Sequence, residues 1–111
     1  MSLSLFAGIR VRDLTAARPW YERLLGEPSF FPNATEVVWT LADDRSLYIE
    51  ENPARAGSAL VTVIVDDLDA LTAEIGSRGL EPAERETYSN GVRKAIYRDD
   101  DGNEVGFGGL P

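Results

Sequence analysis

ALVTVIVDDLDALTAEIGSRG, residues 59–79, is the stretch on which the fold of this 111-residue chain turns. Ala59 to Val65 is a short β-branched apolar run of strand length, and Leu68 to Arg78 carries apolar residues at helical spacing until Gly79 stops it. A strand therefore feeds a helix through Val65-Asp66-Asp67-Leu68, with an aspartate placed to cap the helix. The same order occurs once before. Leu5 to Val11 alternates, with Leu5, Ala7, Ile9 and Val11 on one face and Phe6, Gly8 and Arg10 on the other. Thr15 to Leu25 then sets Trp20 with Leu24 and Tyr21 with Leu25 at i,i+4 before Gly26, which predicts a helix capped by Asp13 or Thr15 with Pro19 in its first turn.

A shift of 54 residues superposes Val11, Asp13, Leu14 and Ala16 on Val65, Asp67, Leu68 and Ala70, and Glu27-Pro28 on Glu81-Pro82. Each copy continues into a hairpin. Glu36–Leu41 and Ser46–Glu51 join across Ala42 to Arg45, and Val92–Arg98 and Glu104–Phe107 join around Asp99 to Asn103. A short strand is expected near Pro28 to Phe31 and again near Pro82 to Glu86. The reading is one α+β domain of two βαβββ modules, about 5–52 and 59–108, joined by the linker 52–58. Two such sheets bury their faces most economically as a curved, partly open mixed β-barrel with helices outside.

Composition narrows the chemistry. Without cysteine or histidine there is no disulfide, no thiolate or Ser–His nucleophile, and no zinc site of the usual donors. A formal net charge of −8 argues against nucleic acid and against anionic membrane surfaces, and no apolar run approaches membrane-spanning length. With no signal-peptide pattern at the N-terminus, a cytoplasmic protein is expected. The three aspartates before Gly102 are adjacent, not alternate as in an EF-hand loop, and read as turn chemistry.

The strand followed by V-x-D-L-x-x-A, the Trp20-Tyr21 pair, Leu24-Leu25-Gly26, and Arg98-Asp99-Asp100-Asp101-Gly102-Asn103 before the last strand together resemble the vicinal oxygen chelate superfamily. That group comprises glyoxalase I, the extradiol dioxygenases, and the fosfomycin- and bleomycin-resistance proteins. The resemblance runs from about Leu5 to Gly108, with Asp100 standing where a proline is usual. It implies the glyoxalase/bleomycin resistance fold. It also implies four metal-ligand positions, which here hold Phe6, Glu50, Leu60 and Gly106. Only Glu50 can ligate, and exchange of modules in a dimer draws on the same four positions, so no metal and no other cofactor is expected.

What remains is a concave face. Alternation puts Phe6, Gly8 and Arg10 on it with Leu60, Thr62 and Ile64, and a two-residue Asp43-Asp44 turn would set Trp39 opposite Tyr48 and add both. Arg10 and Glu50 are candidate partners, and Tyr88 and Arg93, in the connection before the last hairpin, resemble a pocket lid. The leading reading is a metal-free homodimer that binds a small aromatic, cationic or neutral compound, close in character to the bleomycin-resistance branch. Its dimer is either side-by-side or module-exchanged. Two others stay open: a lyase, isomerase or dioxygenase-like enzyme with Glu50 as general base, and a sensor or interaction domain whose barrel is filled.

Overall fold

The computed structural model describes residues 1–110. The chain runs β1 (Leu5–Val11), α1 (Leu14–Leu25), β2 (Phe30–Asn33), β3 (Glu36–Ala42), β4 (Arg45–Glu51), a 3-10 turn at Pro53–Arg55, β5 (Leu60–Val65), α2 (Leu68–Ser77), β6 (Glu84–Thr87), β7 (Arg93–Arg98) and β8 (Glu104–Gly109). The expected repeat is present element for element. Two four-stranded sheets form in the orders β1-β4-β3-β2 and β5-β8-β7-β6, each with a parallel first pair and antiparallel hairpins behind it. Among the described residues no strand of one sheet hydrogen-bonds the other, so a single chain leaves the barrel open.

Both helices start on the expected aspartates. The carboxylates of Asp13 and Asp67 accept from the N–H groups of Ala16 and Ala70 at 3.1 and 3.0 Å, satisfying one first-turn donor in each helix. Because α1 already begins at Leu14, Pro19 lies beyond the first turn, contrary to expectation. Pro19 and Thr15, whose carbonyl loses its helical partner there, are both exposed, so water can serve that oxygen.

One core joins the halves. Ile9, Val11, Val37, Trp39, Leu47 and Ile49 of the first sheet meet Ala95, Tyr97, Val105 and Phe107 of the second, with Tyr21 and Leu24 of α1 and Leu68 and Ile75 of α2 among them. The odd residues of β1 thus turn toward the helices, and Phe6, Gly8 and Arg10 turn away.

A polar clamp fixes the two halves. Asp99, buried in the β7–β8 turn, accepts four hydrogen bonds: Tyr21 Oη at 2.7 Å, Asn103 Nδ2 at 2.8 Å, and the N–H groups of Asn103 and Asp101 at 2.8 and 3.0 Å. Asn103, fully buried, also donates to the Arg10 carbonyl at 2.9 Å and accepts from the Ala59 N–H at 3.0 Å. One turn therefore ties β1, α1 and β5 together, and its aspartates do more than bend the chain. Burial, helped by the Asp99 charge, pushes the Tyr21 hydroxyl far above the ordinary tyrosine range. At the opposite end Arg78 donates to the Arg23 and Leu24 carbonyls at 2.7 and 3.1 Å, serving the last turn of α1 from the second half.

Candidate functional site

The parallel β1–β4 pairing sets Phe6 beside Ser46, Gly8 beside Tyr48 and Arg10 beside Glu50 on the face away from the helices. Gly8 makes room for the Tyr48 ring. A Cβ on it would stand 2.7 Å from the Cζ and Oη of Tyr48 and would push the end of the tyrosine aside. Phe6 meets Tyr48 edge-on with centroids 6.5 Å apart and is 54% exposed, which leaves an aromatic wall open to solvent. Arg10 Nε stands 3.5 Å from Glu50 Oε2, so the expected pair forms.

Gly8, Arg10, Tyr48 and Glu50 border a cavity of about 370 Å³ whose other walls include Arg55 and Ser58. Both belong to the segment read from sequence only as a linker. Asn52 N–H bonds the Val11 carbonyl at 2.9 Å, and the 3-10 turn begun by Pro53 then carries Arg55 back to the end of β1. The asparagine–proline start of that turn was the available signal. A larger cavity of about 770 Å³ lies between Leu5 and Ala7 of β1 and Val61 to Val65 of β5, walled also by Leu41, Leu71 and Phe107. Apolar side chains make up most of its walls, with Arg45, Asp66, Glu74 and Arg78 also lining it.

Two expectations are corrected. Trp39 does not share the Tyr48 face: a bulge at Leu41 slips the hairpin by one residue, so Trp39 pairs with Leu47 and Val38 with Tyr48. A one-residue slip reverses every side chain, and Trp39 points into the core, 2% exposed, where its indole N–H donates to the Gly26 carbonyl at 2.9 Å. Arg93 is no part of a lid. It opens β7 on the helix side and binds Asp69 of α2 through two bonds of 2.9 and 3.2 Å, which hold the Asp69 carboxyl below its usual range. Tyr88 is exposed and donates to Glu86 at 3.2 Å, away from the Glu50 cavity.

On the second sheet Leu60, Thr62 and Ile64 alternate onto the face away from the helices and are exposed. Thr62 lies beside Gly106, and Lys94 runs over that glycine: a Cβ at Gly106 would collide with Lys94 Cε and stand 3.3 Å from its Nζ. At the four positions where the resemblance implies metal ligands, the chain thus offers two apolar side chains, a glycine beneath an ammonium, and a carboxylate facing a guanidinium. Among the described residues no three acidic side chains converge as a ligand set. This donor set does not fit a divalent cation. Among the described residues, too, no helix is long and apolar enough to cross a membrane.

Comparison with known proteins agrees with this fold. A family model described as the glyoxalase/bleomycin resistance protein/dioxygenase superfamily matches residues 4–107. A crystal structure of a glyoxalase/bleomycin resistance protein from Catenulispora acidiphila is 54% identical, covers 99% of this chain and 100% of its own, and superposes with a TM-score of 0.95. At 19% identity, a bleomycin-binding protein complexed with bleomycin shares the fold with a TM-score of 0.77 over 99% of this chain and all of its own. A lactoylglutathione lyase from Agrobacterium tumefaciens does so at 20% identity and 0.72, over 98% of this chain and 94% of that one. No curated protein matches the sequence.

Proposed function

We propose, from the premise that the chain belongs to the glyoxalase/bleomycin resistance protein/dioxygenase superfamily, that it is a metal-free small-molecule-binding protein which sequesters its ligand without transforming it. In this reading it is one cytoplasmic domain of two modules, working as a homodimer. The observation that carries it is the open sheet face. Phe6, Leu60 and Ile64 are 54, 69 and 58% exposed on the sides of the two sheets that face away from the helices, an arrangement that favours an apolar partner. A second copy covering those faces would enclose the Tyr48 and Glu50 cavity, and an aromatic ligand would lie against Phe6 and Tyr48, the part once expected of Trp39.

Loss of three of four ligand positions supports binding over chemistry. Glu50 as a general base is not favoured, since Arg10 already stands against its carboxylate. Sedimentation analysis of the purified protein should give a dimer, and elemental analysis should give no stoichiometric Mn, Fe, Ni or Zn. Titration with aromatic compounds, followed by amide NMR, should move Gly8 and residues around Tyr48. A monomer, a stoichiometric metal, or amide shifts confined to the helix side would each overturn a named part of the proposal.

A further inference from the structure

The charges around the cavity are unequal. Arg10, Arg55 and Glu50 border it, two cations against one anion, in a protein whose overall charge is −8. The Arg10–Glu50 contact is a single approach at 3.5 Å through Nε. Among the described residues, neither the Arg10 nor the Arg55 guanidinium donates a hydrogen bond to a protein acceptor. Arg93 is committed to Asp69, Arg98 to Glu84 and Glu104, and Arg78 to the end of α1, whereas Arg10 and Arg55, with no such hydrogen bond among the described residues, are the two guanidinium groups that border this cavity. The Tyr48 and Ser58 hydroxyls border the same space without a protein partner among the described residues.

We infer that this corner takes the carboxylate of an aromatic acid, with the ring against Phe6 and Tyr48. The inference rests on the binding proposal above and reverses the ligand charge expected from the acidic composition. A guanidinium fork matches a carboxylate's two oxygens, and hydroxyl donors can complete its solvation, whereas an ammonium group would meet two like charges and only one opposite one. The side-chain exposures of Arg10 and Glu50, 46 and 37%, leave the corner open to an entering anion.

The test uses the full-length protein and three probes of one shape: 2-naphthoate, its neutral amide, and 2-naphthylmethylammonium, each titrated into ¹⁵N-labelled protein. Naphthoate should bind about tenfold tighter than the amide and move the Gly8, Ser58 and Ala59 resonances, and the ammonium should bind weakest. Arg55→Gln lies in an exposed turn and should fold normally; with Arg10→Gln it should abolish the roughly tenfold preference for naphthoate over the amide, both measured on the same variant. Equal affinity for acid and amide, or preference for the ammonium, would overturn the inference and leave the binding proposal standing. Absence of binding by all three probes would overturn both.

Discussion

Replacing Tyr21 by phenylalanine isolates the clamp between the halves. The ring stays where it packs, against Trp20 at 4.7 Å and Trp39 at 6.1 Å between centroids, and only the hydroxyl that donates to Asp99 at 2.7 Å is lost. A hydrogen bond to a charged, buried acceptor contributes about 1.5–3 kcal/mol. Asp99 keeps three other donors, from Asp101 N–H, Asn103 N–H and Asn103 Nδ2, so it is not orphaned and the lower half of that range applies, about 1.5–2 kcal/mol. At roughly 2.1 cal/mol/K of unfolding entropy per residue, a chain of this length should lose about 6–9 °C of Tm. The assay is thermal unfolding by circular dichroism with a urea titration beside it, and the urea slope should not change.

The pH dependence gives a second, independent reading. The folded protein holds the Tyr21 hydroxyl above its ordinary pKa, so its contribution is complete below about pH 10 and is lost as pH rises beyond the unfolded tyrosine value. The difference in stability between wild type and Tyr21→Phe should therefore shrink above that pH. A Tm change under about 2 °C, or a difference that stays constant into the alkaline range, would refute the assignment of Tyr21 as a clamp residue.

Tyr97 is the opposite case: its buried hydroxyl has no partner among the described residues, so Tyr97→Phe should raise stability by about 1 kcal/mol, read as a Tm gain of a few degrees. Gly57 has φ +99° and a Cβ there would run into the Asp101 carbonyl, so Gly57→Ala should cost about 2–4 kcal/mol by urea titration. Restoring the missing carboxylate with Gly106→Glu should displace the flexible end of Lys94 at a stability loss below about 1 kcal/mol, and calorimetric titration with Mn²⁺ should still show no tight site, since Phe6 and Leu60 remain.

The duplicated order of elements was legible because period-two and period-3.6 patterns survive in both copies and aspartates mark both helix starts. Register was not. Nothing in Val37 to Ala42 announces a bulge at Leu41, yet that one residue decides whether Trp39 joins the aromatic wall or the core. Arg93 was assigned to a lid although it falls inside the strand Val92–Arg98 that the pattern itself predicts, because its partner Asp69 lies 24 residues away, beyond any local pattern. Arg55 went unnoticed because a turn's direction depends on tertiary hydrogen bonds, here from Asn52 to Val11.

Asn103 holds the carbonyl of the residue whose guanidinium borders the cavity, and it holds the amide of Ala59, which forms part of the far wall. The two sides of the cavity are thus pinned to different halves of the chain and meet at one buried amide. The spacing of Arg10 from the opposite wall is therefore set by the two bonds this amide makes. The same side chain that joins the repeats thus sets the width of the cavity between them.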